Sequence, residues 1–187
     1  MDIYTRQKLE EFGFTEFSSI QDLRINLEII PPKKGVYMVI RDSNDDPEFL
    51  EEGTGGEFKK KKPNVPFEKL MDKWVKGAFI LYIGETGGYK KRRKKKDGEK
   101  RNHKKNRFLR SRIKELLDFG QGKSVGHYGG RLIWQLKDAE NLFICWKEFS
   151  EKNDDPKKIK QALINQFKKN TRWETSFCQP KMNHLQH

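Results

Sequence analysis

Two tyrosines carry the chemistry this sequence makes available. Tyr37 closes the triplet Gly35-Val36-Tyr37, and Tyr82 opens the triplet Tyr82-Ile83-Gly84. A phenol donates and accepts hydrogen bonds at neutral pH; because a free tyrosine titrates at about 10, it becomes a base only where neighbouring cations favour its phenolate. Cations are plentiful just after the second triplet. From Lys90 to Arg112 there are fourteen Lys or Arg against two acids, Asp97 and Glu99, and this window's +12 makes up nearly all of the chain's formal +13. So concentrated a field draws polyanions by releasing their counterions, whatever their sequence. Paired Tyr/Gly triplets beside it point to chemistry at phosphates. For the lysine run taken alone, a solvated loop or a localisation patch is the competing reading.

The elements that must position these groups follow from pattern. Thr5 to Leu27 places Leu9, Phe12, Phe14, Phe17, Ile20 and Leu23 at helical spacing broken at Gly13, which predicts two short helices in an N-terminal segment, 1–33. Gly35 to Ile40 is β-branched and aromatic and stops at the turn-forming Asp42 to Pro47, so Tyr37 belongs to a buried strand. A helix is expected at Phe67, Leu70, Met71 and Trp74, and a second strand over Ala78 to Gly84. The window 90–107 has almost no apolar residues and reads as a mobile basic loop. Phe108, Leu109, Arg112, Ile113, Leu116 and Leu117 then form an amphipathic helix, with Gly120 as its C-cap. Leu132 to Leu136 and Asn141 to Phe149 are further strand candidates. Asp154-Asp155-Pro156 starts the last helix, whose face is Ile159, Ala162, Leu163, Gln166 and Phe167.

Length and composition set the bounds. A chain of 187 residues with thirteen Phe and four Trp fits one domain with a moderate core. The longest apolar stretch, Phe79 to Ile83, is too short to span a bilayer, and Met1-Asp2-Ile3 lacks the layout of a signal peptide, so a cytoplasmic protein is expected. Cys145 and Cys178 have no partner at ligand spacing; two buried thiols are expected rather than a zinc site.

With the elements placed, the chain resembles the GIY-YIG nuclease superfamily over most of its length. Gly35-Val36-Tyr37 resembles the first signature triplet, and Tyr82-Ile83-Gly84 reproduces the second. The helix ending near Phe119 resembles the family's Arg-bearing helix, and Pro180 to Asn183 its terminal Pro-x-x-Asn. The spacing departs from the family, because 44 positions, 38 to 81, lie between the tyrosines where a short turn is usual. Residues 42–77 are therefore expected to form an inserted helical and loop lobe. The resemblance implies an α+β fold, a small antiparallel or mixed sheet flanked by helices.

It also implies a DNA endonuclease with magnesium or manganese as cofactor, and double-stranded DNA and a second copy of the chain as partners. A bacterial or phage-encoded restriction-like role is the implied setting. Hydrolysing a phosphodiester needs an activated water, neutralised nonbridging oxygens and a stabilised leaving 3′ oxygen. On the resemblance Tyr37 is the general base or water-positioner, Tyr82 its partner at the phosphate, and an arginine the clamp. Arg112 is the first choice because it sits on a packed helix, with Arg110 and Arg92 as alternates. His127, in the Gly-rich stretch Gly126 to Arg131, is either a phosphate-side group or a structural histidine. Lys90, Lys91, Arg92, Arg93, Lys104, Lys105, Arg107, Arg110, Arg131 and Asn183 are the expected DNA-binding residues. The family's metal-binding Glu precedes a Leu-Ile pair on the last helix, and here Lys160 stands there, ahead of Leu163-Ile164. An ammonium cannot coordinate magnesium, although it can neutralise a phosphate oxygen. Glu85, Glu148 and Glu151 are the other candidate metal ligands; a disabled nuclease, or a non-catalytic DNA- or RNA-binding protein on the same fold, is the other way to read Lys160.

Overall fold

The computed structural model describes residues 5–90, 105–150 and 154–171. It is an α+β fold, a four-stranded antiparallel sheet with helices on both faces. In chain order its elements are α1 (Arg6–Glu11), β1 (Thr15–Ser19), α2 (Ile20–Ile25), β2 (Lys34–Ile40), α3 (Phe67–Met71), β3 (Ile80–Thr86), β4 (Gly88–Lys90), β5 (Lys105–Arg107), α4 (Leu109–Gly120), β6 (Phe143–Phe149) and α5 (Pro156–Thr171). The sheet order is β1-β6-β2-β3, while β4 and β5 form a separate two-stranded hairpin. Among the described residues no helix is long and apolar enough to cross a membrane.

β2 lies between β6 and β3, so its near-continuous apolar run is buried on both faces. On one face Tyr37, Val39, Tyr82, Ile144 and Trp146 pack with Leu109, Ile113 and Leu116 of α4 and with Trp134. On the other, Val36, Met38, Ile83 and Cys145 pack with Leu163, Ile164 and Phe167 of α5. Cys145 is a buried free thiol whose pKa burial pushes up to about 12, as expected of an inert core cysteine; Cys178 lies outside the described residues.

Three local readings of the sequence are corrected. Between the two N-terminal helices Thr15–Ser19 is a strand, drawn into the sheet as the edge neighbour of β6. The expected strand at Leu132–Leu136 is instead part of a 3-10 stretch, Tyr128–Gln135; Leu136 alone bridges to Phe49. Its apolar residues are buried under α4 and the inserted lobe, so a continuous apolar run did not distinguish strand from buried coil. Finally, Gly120 ends α4 beneath Trp134, and the residue with the left-handed backbone (φ 77°) is Gly122, two positions on. The last helix starts as read: Asp155 Oδ1 accepts from the Lys157 and Lys158 amides ahead of α5.

The lobe at 42–77 is fastened to the 3-10 stretch. Buried Gln135 accepts from Val65 N–H at 2.7 Å and donates to the Val65 carbonyl at 3.0 Å, while Leu50 N–H reaches the Gln135 carbonyl at 2.7 Å. Leu70 and Leu132 form a small core there, with Phe49 and Trp74 against it. The basic window falls mostly outside the described residues; its two ends pair antiparallel, Lys90 opposite Lys105.

Candidate active site

Strand alternation brings the two tyrosines together. Tyr37 pairs with Gly84 and Val39 with Tyr82 across β2 and β3, so both phenols point to the α4 face, with ring centroids 5.9 Å apart. The glycines of the triplets permit this arrangement. A Cβ on Gly84 would stand 2.1 Å from Tyr37 Cζ, so the glycine is the floor on which the Tyr37 ring rests. A Cβ on Gly35 would meet Leu109 Cδ1 at 2.7 Å, so that glycine lets α4 come down onto the sheet. Leu109 N–H donates to the Lys33 carbonyl at 2.8 Å, and the Ser111 hydroxyl accepts from Phe108 N–H at 3.1 Å, which fixes where α4 begins.

His127 completes the cluster. Its Nε2 lies 2.9 Å from the Tyr37 hydroxyl, its ring centroid is 5.7 Å from that of Tyr82, and it has no solvent exposure. The loop carrying it is tied to α4, because Arg112 Nη1 donates to the Gly126 carbonyl at 3.1 Å. The same nitrogen meets Glu115 Oε2 at 2.6 Å, one turn along the helix. Tyr37 is fully buried, Tyr82 nearly so, and the Arg112 side chain keeps 22% of its surface; the cluster therefore reaches solvent mainly through Arg112.

Burial sets the protonation states. Desolvation, reinforced by Tyr82, raises the Tyr37 pKa well above the usual phenol value, although Arg112 pulls the other way. The expectation that surrounding cations would favour a phenolate is thus reversed in the resting protein: one nearby guanidinium does not offset a fully buried anion. Desolvation first, and Arg112 second, push the His127 pKa down to about 3. A neutral phenol therefore faces a neutral imidazole. His127 Nδ1, also buried, has no hydrogen-bond partner among the described residues.

Of the residues expected at the site, Tyr37, Tyr82, His127 and Arg112 converge. Lys160 is buried on α5, the helix on the opposite face of the sheet from α4, one turn before the core residues Leu163 and Ile164. Arg110 points elsewhere: it donates to the Ile30 and Glu28 carbonyls at 2.7 and 2.9 Å and pairs with the Glu28 carboxylate. Glu148 is on β6, paired with Lys33 at 2.6 Å, and Glu85, opposite Val36 on β3, faces away from the tyrosines. Arg131 lies close to Lys73, and Arg107 is exposed at the end of β5. Lys90 and Lys105 are placed by backbone pairing alone, while Lys91, Arg92, Arg93, Lys104, Glu151 and Asn183 lie outside the described residues.

Glu115 was missed by sequence reasoning. Its signal was available, an acid three positions after Arg112 on one helix face. No group of three His, Cys, Asp or Glu side chains converges among the described residues, and an ammonium occupies position 160. This donor set does not fit magnesium or manganese, which want oxygen ligands. Comparisons with protein-family models, curated proteins and solved structures return no match.

Proposed function

We propose that the chain is a nuclease-fold protein that binds double-stranded DNA and hydrolyses its phosphodiester bonds at the Tyr37, Tyr82, His127 and Arg112 cluster. The observation that carries this reading is the 2.9 Å hydrogen bond between fully buried Tyr37 and fully buried His127, within electrostatic reach of Arg112. A buried phenol needs a hydrogen-bond partner, and here the partner is an imidazole of strongly lowered pKa beside a guanidinium, a grouping able to do chemistry.

Arg112, the cluster member with most solvent access, meets the scissile phosphate and neutralises charge developing on its nonbridging oxygens, with Tyr82 beside it. Tyr37 acts as a neutral phenol anchored by His127 and, through its ring contact with Tyr82, positions the groups that meet the phosphate rather than standing ready as a phenolate. In the reaction, the water oxygen bonds to phosphorus and releases a proton to solvent, the bond to the 3′ oxygen breaks, and the leaving oxygen takes up a proton from solvent. The flanking cations of the 90–112 window hold the duplex by sequence-independent contacts.

Supercoiled-plasmid nicking in magnesium tests this. The parent chain nicks, and Arg112→Ala, which removes the guanidinium that meets the phosphate, lowers the rate by roughly 100-fold. If the parent cuts no DNA while single strands bind tightly, the hydrolytic reading is wrong and a non-catalytic nucleic-acid-binding protein takes its place.

A further inference from the structure

The inserted lobe carries cations of its own, outside the 90–112 window. Phe58 and Lys61 bridge across a two-residue turn in which Lys61 N–H donates to the Phe58 carbonyl at 3.1 Å. Both central residues are left-handed, Lys59 at φ 54° and Lys60 at φ 60°. Turns with two positive φ angles favour Asn-Gly or Gly-Gly, because a Cβ is strained there. This one holds two exposed lysines instead, followed by exposed Lys61 and Lys62, with no acid among the four. Strained backbone of this kind collects at ligand clamps.

The turn is anchored beside the cluster. Gly56 N–H donates to the Phe119 carbonyl near the end of α4 at 2.8 Å, and a Cβ on Gly126 would lie 3.5 Å from Phe58 Cζ, in ordinary packing contact. Gly126 is also the residue whose carbonyl receives the Arg112 guanidinium. The base of the turn thus faces the loop that holds His127 across a gap that one methyl group would fill. Elsewhere on the lobe, Lys69 and Lys73 gather near Arg131: burial, then Arg131, then Lys69 lower the Lys73 pKa, as like charges do when brought together.

We infer that the Lys59-Lys60 turn is a backbone clamp that grips the phosphates of duplex DNA alongside the catalytic cluster. The inference rests on the nuclease reading above and extends it to the lobe. A phosphodiester backbone fits because it offers a row of anions to adjacent ammonium groups and asks for no base-specific geometry.

The test uses Lys59→Gly/Lys60→Gly in the full chain. Glycine accepts positive φ, so the charges are removed while the turn keeps its backbone, and an unfolding midpoint no lower than the parent's checks that the fold is intact. Binding of a short labelled duplex is followed by fluorescence anisotropy without divalent metal, at a series of salt concentrations. Losing two phosphate contacts makes the log–log salt slope shallower by about 1.8, so between about 50 and 200 mM salt the parent loses roughly 12-fold more affinity than the variant. A variant slope equal to the parent's overturns the clamp and leaves the nuclease reading standing. A parent that binds no duplex at all overturns both. If the substitutions abolish binding to polyglutamate and leave duplex binding intact, an acidic protein segment is the occupant and the clamp is wrong.

Discussion

Acid should unfold this protein through His127. The ring is fully buried and neutral, with its pKa lowered from 6.5 to about 3 by desolvation and Arg112. Below pH 6.5 the unfolded chain takes up a proton at this position that the folded chain refuses, so stability is complete above the unfolded pKa and falls as pH drops toward the folded one. Each pH unit in that window costs about 1.4 kcal/mol. Moving from about pH 7.5 to about pH 4.5 therefore removes roughly 2–3 kcal/mol through this one ring, a large part of the 5–15 kcal/mol typical of a folded domain. Urea unfolding of the parent and of His127→Gln at these two pH values isolates the effect, because Gln does not titrate. The carboxylates and the other histidines, four His in all counting His127, are common to both chains apart from the substituted ring. The parent should lose roughly 2–3 kcal/mol more than the variant on acidification. Parallel losses would show that His127 protonates freely in the folded protein, and the picture of a neutral imidazole holding Tyr37 would be refuted.

Gly84→Ala puts a Cβ 2.1 Å from Tyr37 Cζ and should cost about 1–3 kcal/mol in thermal unfolding and displace the Tyr37 ring, whereas Gly87→Ala, which meets nothing within 4 Å, should change stability by less than about 0.5 kcal/mol; equal effects would sink the packing argument. Arg112→Lys keeps the charge but loses the fork that serves both Glu115 and the Gly126 carbonyl. It should lower nicking by about 100-fold while costing about 1 kcal/mol or less in urea unfolding, since the ion pair is partly exposed; an unchanged nicking rate would remove Arg112 from the site.

The strand placement of both tyrosines was legible because apolar, β-branched runs around Tyr37 and Tyr82 define buried strands, and alternation then puts the two phenols on one face. Choosing Arg112 over Arg110 followed from the helix stripe, and the two side chains do point to different places. β1 was not legible: Thr15–Ser19 has little apolar periodicity and becomes a strand because β6 offers an open edge. The 3-10 stretch hid for the opposite reason, since its apolar run satisfies a strand template while its burial comes from tertiary packing. His127 could be flagged but not placed, because a Gly-rich loop does not specify where its side chains point. The protonation state of Tyr37 was misjudged for a related reason: sequence counts cations, whereas burial, which outweighed them, exists only in the folded chain.

What tests the cluster as a nuclease site most directly is single-turnover plasmid nicking by Tyr37→Phe beside the parent chain. The substitution removes one oxygen from a buried ring and leaves its packing in place. It should abolish at least about 99% of the rate, the scale of a lost catalytic hydrogen bond, and cost about 1–3 kcal/mol of stability by orphaning the second nitrogen of His127. Retention of the full nicking rate by a folded Tyr37→Phe chain would contradict the account, because the cluster would then be packing and the chemistry would lie elsewhere.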